Sequence, residues 1–307
     1  GLPKRMLPLA YFFALAGMVG CLPAFQSNQL IQITGDLAFS EIENFNIFGG
    51  LVLAGITGIV VIGGLKRIAE VATFLVPLMG SIYFGAMLIA LILNLDQVFP
   101  AFKLILVDAF NGTAIAGGTF FGVLIYGVRR GAFSNEAGMG TESLVHGVAK
   151  VSDPVKQGLV AMTGPIFDTL IICTATALMI LISGVWETSA SQGVTLTAEA
   201  FRMLLGNFGG FILFICVICF GLSTIFTYSY YGASCSRFLF GKFGMKFYIY
   251  LYIFSIFIYS IVPIDIAINI ADGAFAMMAI PTLVSALWLA PKVMQASKNY
   301  FKLIGSY

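Results

Sequence analysis

The sequence predicts an all-α integral membrane protein, a polytopic helical bundle of about eight transmembrane helices, one of them discontinuous. Three observations carry this. First, of 307 residues 59% are hydrophobic and only 10% charged, with mean hydropathy +0.98, against roughly 25% charged in a soluble globular domain. That much apolar surface cannot be hidden in a core of the chain's own, so lipid is the solvent. Second, the apolar residues fall in runs of about 20 or more, the length a helix needs to cross a bilayer. Third, one run ends in G-V-R-R-G-A-F-S-N-E-A-G-M-G-T at 127–141, where two arginines, a glutamate and four glycines interrupt it. Charge and helix-breaking glycine are costly in hydrocarbon unless the backbone is buried in protein or lines a cavity. Such an interruption marks a functional centre.

The spans follow in order. The first, 6–33, is broken by Pro23 just before Gln26, Ser27 and Asn28, which read as an interhelical hydrogen-bond cluster. Asn28 and Gln29 read as packing. Next come 47–64 and 68–94, then 104–127 with a continuation near 139–149, then 155–186, 208–240, 245–262 and 264–290. Runs longer than about 25 residues imply tilt or interfacial ends. Trp186 and the tyrosines near span ends suit the headgroup belt. With the N-terminus inside and the spans alternating, twelve Lys and Arg fall inside and two, Lys103 and Arg202, outside. The outer segments 34–46 and 184–200 contain neither. This asymmetry places the C-terminus in the cytoplasm of a multi-pass protein of the cell's inner (plasma) membrane, and requires 264–290 to be one span.

No period repeats and no linker divides the chain, so 1–307 reads as a single membrane domain. The five cysteines lie in or beside apolar segments without metal-ligand spacing; Cys216 and Cys219, though C-x-x-C, read as small buried hydrophobes. Nothing calls for an organic cofactor, nucleic acid or a metal cluster. A start at Gly1 rather than Met is expected of a piece of something longer.

Two readings of the interruption stand. The run 104–127 is long enough to cross by itself, which would leave 127–141 as a cytoplasmic loop. Alternatively Asp108, Asn111 and Gly112 are interfacial, Gly117 and Gly118 start a shorter half-helix over 119–132, and 133–140 lies within the membrane. Such a half-helix spans only about two-thirds of the bilayer. Its carbonyl end would attract ammonium groups or cations, and the amides opening the second half would attract carboxylates. Ser134, Ala137, Gly138 and Gly140 would let a small molecule approach the backbone. Glu136 would either accept from an amine or pair with Arg129 or Arg130 in a structural role. Asp168, Asp265 and Asp272 lie within or at the edge of apolar spans, where an ionised carboxylate costs at least about 2.5 kcal/mol. Asp265 reads as a first-turn acid complementing the helix dipole. Asp168 and Asp272 read as structural pairs with Arg129 or Arg130, or as proton relays. His146 reads as a solvated helix-end residue, and the Asn111–Gly112–Thr113 sequon as chance.

The stretch G-V-R-R-G-A-F-S-N-E-A-G-M-G resembles the signature of the alanine or glycine:cation symporter family. The resemblance extends to D-P-V-K-Q-G-L-V-A-M at 153–162, D-T-L-I-I-C-T at 168–174, S-T-I-F-T-Y-S-Y-Y-G at 223–232 and I-A-D-G-A-F-A-M-M-A-I-P at 270–281. It implies a LeuT-type inverted-repeat fold, incomplete here, with core helices three to ten present and one and two missing. It implies sodium-coupled (in some members proton-coupled) uptake of a small neutral amino acid, alanine or glycine. It also implies a substrate site at Gln26, Phe133, Ser134, Asn135, Ala137, Gly138, Met139 and Tyr228. Ser223 and Thr224, which as residues read as hydroxyls bonded to the preceding turn, acquire by the resemblance a place on the sodium site. Tyr228 stands where the family typically has tryptophan and Ala233 where it has glutamate, which puts cargo size in doubt. Rival classes are a channel, a proton-coupled carrier of another small zwitterion, a non-transporting remnant and a membrane enzyme. A lone histidine without a metal cluster argues against the last.

Overall fold

The computed structural model describes residues 2–110 and 119–305. Asn111, Gly112, the sequon, Gly117 and Gly118 lie outside the described residues. Among those described, every regular element is helical. Lys4–Ala38, Gly64–Leu93, Pro154–Ser183, Val194–Ile261 and Ile264–Ile304 are long and apolar enough to cross a membrane, and Phe45–Val61 is a shorter apolar helix. The coarse expectation of a polytopic helical membrane protein holds.

The first span is two helices, α1 (Leu7–Gly20) and α2 (Ala24–Ala38), parted at Pro23. Proline lacks an N–H and cannot continue the ladder, and Pro23 sits at φ −81°, ψ 43°. Then come α3 (Phe45–Val61), α4 (Gly64–Leu93) and α5 (Leu95–Ala109). The run read as one span over 104–127 is not one helix: α5 ends at Ala109 and α6 (Thr119–Asn135) is separate. A short α7 (Thr141–His146) follows the break, so 127–141 is a helix interruption and not one loop.

The next span begins as α8 (Pro154–Pro165) behind an Asp153 cap, whose carboxylate accepts from Val155 N at 2.8 Å. It widens into a π-helical segment, Ile166–Cys173, and resumes as α9 (Thr174–Ser183). The widening starts at Pro165, where a missing N–H breaks the α ladder. A short α10 (Val185–Thr188) leads to α11 (Val194–Ile261), divided by Gly206 (φ 70°, ψ −166°) and Gly241 (φ 68°, ψ −156°) into 194–205, 207–240 and 242–261. Those dihedrals are essentially restricted to glycine. The last helix, α12 (Ile264–Ile304), runs well past the expected end at 290.

The main core lies where α1, α2, α11 and α12 meet. Tyr248, Tyr252, Ile256 and Met278 are fully buried there, with Tyr228, Ile225 and Phe275 beside them. The tyrosine hydroxyls are satisfied by helix carbonyls, Tyr248 Oη donating to Met18 O at 2.9 Å and Tyr252 Oη to Ile225 O at 2.6 Å. In hydrocarbon an unpaired hydroxyl would be costly, so these bonds tie α11 to α1 and across its own kink. A second cluster, around Tyr83, Met87, Met179, Phe201 and Leu213, joins α4, α9 and α11. All five cysteines are free thiols; Cys21, Cys216 and Cys235 are buried.

Candidate functional site

The break between α6 and α7 is built from backbone conformations that side chains resist. Glu136 (φ 54°), Gly138 (φ 81°) and Gly140 (φ 88°) all lie in the left-handed region. A Cβ on Gly140 would stand 2.6 Å from Thr282 Oγ1 and 2.7 Å from Phe13 Cε2, so only glycine fits. Thr282 Oγ1 donates to Met139 O at 3.2 Å, anchoring the break to α12. Asn135 folds its side chain onto its own turn, with Oδ1 accepting from Ala137 N at 2.9 Å and Nδ2 donating to Thr169 Oγ1 at 3.2 Å.

One face of the break lines a cavity of about 460 Å³. Phe133, Ser134 and Glu136 face it from α6 and the break, Gln26 from α2, and Thr224 and Tyr228 from α11. Tyr228 Oη donates to Glu136 Oε1 at 2.7 Å, so the carboxyl forms part of the cavity wall with its orientation held. The other face lines a second cavity of about 540 Å³, into which Ala137, Gly138, Met139, Arg129 and Asp272 look. Phe133 stands between the two, edge-on to Phe25 (5.4 Å) and Phe275 (5.3 Å). Arg130 pairs with Asp272 on α12, with its guanidinium 5.4 Å from the Phe133 ring centroid and 5.5 Å from that of Tyr126.

The expected site residues therefore divide. Gln26, Phe133, Ser134 and Tyr228 converge on one cavity. Ala137, Gly138 and Met139 line the other, and Asn135, bonded to Ala137 N and to Thr169 across the helices, lines neither. Of the expected charge pairs, Arg130–Asp272 forms. Glu136 meets Tyr228 rather than an arginine, because the left-handed turn at Glu136 swings it away from the α6 face that carries Arg130. Among the described residues Asp168, too, has no arginine: its partners are the hydroxyls of Ser134 and of Thr169, the latter at 3.3 Å. Arg129 lines the second cavity. The hydroxyls of Ser223 and Thr224 both donate to Phe220 O, at 3.0 and 2.9 Å, but only Thr224 faces the first cavity; Ser223 is buried against Met79. His146 Nδ1 lies 2.6 Å from Gln157 Nε2, joining α7 to α8.

Sequence reasoning missed the roof of the cavity. Gly193, Val194 and Thr197, in a segment read only as an outer loop, line it, as does Gln29, read as packing. Gln29 Oε1 accepts from Val194 N at 3.1 Å, and Thr195 Oγ1 donates to Asp36 Oδ2 at 2.8 Å. Gly193 takes φ 62° and abuts the Gln29 amide. The glycines at 184, 193 and 206 were the available signal: they bracket a segment free to fold back over the helices.

These features define a polytopic helical membrane protein whose broken helix opens onto a mostly apolar cavity between helices, with a few polar groups in its wall, the architecture of a membrane carrier. The chain belongs to the sodium:alanine symporter family, whose family model matches residues 1–305; it is a family of transporters, not enzymes. It is 34% identical, over 97% of its length and 64% of the relative's, to an uncharacterized transporter, YflA, of Bacillus subtilis. It is likewise 34% identical to the sodium/alanine symporter AgcS of Methanococcus maripaludis, over 98% of this chain and 67% of that one. A probable sodium/glutamine symporter of Bacillus subtilis, GlnT, is 32% identical over 98% of this chain and 62% of its own. The chain thus spans about two-thirds of the length of the curated relatives it matches.

Proposed function

We propose that the protein carries a small neutral amino acid, alanine or glycine, into the cell by symport with sodium. The observation that carries this reading is the cavity where Glu136 and the carbonyl end of α6 meet Gln26, Tyr228 and Thr224. A zwitterion needs an anionic and a hydrogen-bonding pole. Glu136 and the carbonyl end of α6 supply negative charge for its ammonium group, and the Gln26 amide supplies an N–H for its carboxylate. Sodium is assigned to Thr224, with Ser223 behind it, completed by groups outside this chain. Family membership and the similarity to AgcS support an amino-acid cargo and sodium as the coupling ion. The same reading takes the fold to be LeuT-type, with core helices three to ten here, in the inner membrane with the C-terminus cytoplasmic. Alternating access then comes from rocking of the broken helix and its partners against the rest.

A second reading, a cargo of glutamine size, is favoured by the cavity's volume of about 460 Å³ and by the similarity to GlnT. Tyrosine at 228 also takes less room than tryptophan. Uptake of labelled alanine, glycine and glutamine into proteoliposomes carrying the full gene product, with and without an inward sodium gradient, separates these readings. Sodium-dependent alanine or glycine uptake is expected. Glutamine alone would correct the cargo, and no sodium-dependent uptake of any of the three would sink the symport assignment.

A further inference from the structure

The end of the bundle where α1 begins and α11 kinks is basic. Lys4 and Arg5 form one 3-10 turn ahead of α1. Arg237 precedes the kink at Gly241, Lys242 and Lys246 follow it, and Lys292 stands one turn beyond Trp288 on α12. Arg5 lies 5.5 Å from the Trp288 ring centroid, and the Tyr11 ring 5.3 Å from that of Phe238, so these ends of α1, α11 and α12 meet. No Asp or Glu occurs in 1–35, 200–264 or 273–307. The acids carried by the helices that meet here are engaged elsewhere. Asp272 pairs with Arg130, Asp265 opens α12 at its opposite end, and Glu199 accepts from Ser191 near the start of α11. Glu142, on α7, is close enough to Glu136 and Tyr231 to interact with them electrostatically. Among the described residues Lys4, Arg5 and Arg237 have no carboxylate partner.

Between these helix ends lies a cavity of about 340 Å³, apart from the two at the helix break. Leu9, Phe13, Leu144, Phe238 and Pro281 give it an apolar wall, and among the described residues no charged side chain lines it. Its hydroxyls are mostly spent on the protein's own carbonyls. Ser143 Oγ donates to Gly140 O and Ser285 Oγ to Pro281 O, each at 2.6 Å, and Thr282 Oγ1 donates to Met139 O at 3.2 Å. A small polar solute finds little to bond there. Phe238 is 50% exposed, so the groove is reached from the outside of the bundle, where lipid stands in a membrane. An apolar groove beside unpaired cations is complementary to a lipid, with an acyl chain in the groove and a phosphate at the guanidinium groups. Trp288 and Tyr11 are of the residue types that sit at headgroup level.

We propose that this groove binds an acyl chain of an anionic phospholipid whose phosphate is held by Lys4, Arg5 and Arg237. The inference rests on the protein lying in a membrane and is independent of its cargo and coupling ion. The bound chain packs against Gly140, the last left-handed glycine of the helix break, and beside Thr282, which anchors that break to α12. The lipid thus braces the break from outside the cargo cavity.

The test reads lipid binding without cargo or sodium, so its failure leaves the symport reading untouched. The full gene product is purified in detergent and stripped of lipid. Its melting temperature is then followed against phosphatidylglycerol, phosphatidylcholine with the same chains, and glycerol 3-phosphate, at constant ionic strength. A saturable rise with phosphatidylglycerol is expected, half-complete at roughly ten-fold lower concentration than with phosphatidylcholine, and no rise with glycerol 3-phosphate. Arg5→Gln/Arg237→Gln should raise the half-saturating phosphatidylglycerol concentration roughly thirty-fold. Ala10→Phe, which fills the groove from α1 and leaves the cations in place, should weaken the response to both lipids. Equal responses to the two lipids, an equal response to glycerol 3-phosphate, or a phosphatidylglycerol response that the paired arginine substitution leaves intact overturns the proposal. Should Ala10→Phe fail to fold, Ser285→Leu fills the same groove from α12, and an unchanged lipid response in the folded filling variant overturns it equally.

Discussion

Replacing Tyr228 by Phe isolates the contact that holds the Glu136 carboxyl in the cavity wall. The phenol oxygen is 2.7 Å from Glu136 Oε1, and Tyr228 is only 3% exposed. Phenylalanine keeps the ring and its packing against Tyr231, 5.6 Å away between centroids, and removes only the donor. A hydrogen bond to an ionised acceptor contributes about 1.5–3 kcal/mol, one to a neutral acceptor about 0.5–1.5 kcal/mol. Tyr228→Phe should therefore cost about 1.5–3 kcal/mol beside Glu136, but only about 0.5–1.5 kcal/mol in a Glu136→Gln background, where the amide oxygen still accepts. The difference, about 1–1.5 kcal/mol, is the coupling energy of a double-mutant cycle. Thermal unfolding of the four proteins in detergent measures it, with the single Tyr228→Phe melting roughly 2–5 °C lower. Equal losses in both backgrounds would show that Glu136 carries no charge for Tyr228 to stabilise. No loss in either would show that the contact itself is wrong.

Three further substitutions probe the same region. Gly140→Ala should destabilise by about 2–5 kcal/mol, from left-handed strain of about 1–2 kcal/mol plus overpacking against Thr282 and Phe13; a melting temperature equal to wild type would refute the geometry of the break. Asp272→Asn should cost about 1–3 kcal/mol, between the figures for exposed and buried pairs, since the side chains of Arg130 and Asp272 are 27% and 24% exposed. Adding Arg130→Leu should recover part of that loss in the same thermal assay. Thr224→Ala should raise the sodium concentration for half-maximal uptake by roughly ten-fold, one lost ligand oxygen being worth about 1.4 kcal/mol. Ser223→Ala, whose hydroxyl turns toward Met79, should change it far less, and equal effects would contradict the difference in exposure to the cavity.

What could be read in advance follows from the range of the forces involved. The helix break was legible at 127–141 because glycine and charge act on the backbone where they stand, and Pro23 likewise announced the parting of α1 from α2. The parting of α11 near residue 241 was legible for the same reason. A separate half-helix from 119, after an interfacial Asp108, was legible as one of two readings, although hydropathy alone runs 104–127 together. Errors of extent arose where local chemistry is silent. Helix α12 continues past 290, through Pro291, to Ile304.

Membership of the membrane class, the order of the apolar segments and the position of the break are properties of composition and local backbone preference, and the sequence alone determined them. Partner choice is another matter. Glu136 and Tyr228 are 92 residues apart, Arg130 and Asp272 142, and Gln29 and Val194 165. A helix that meets lipid on one side and protein on the other is apolar all round, so its periodicity does not say which face is turned inward. Only the packing decided that Asn135 faces Thr169 and that Ser223 turns from the cavity which Thr224 faces. The physical reason is that hydrocarbon penalises an unpaired polar group without specifying its partner; proximity in the folded bundle supplies that specification.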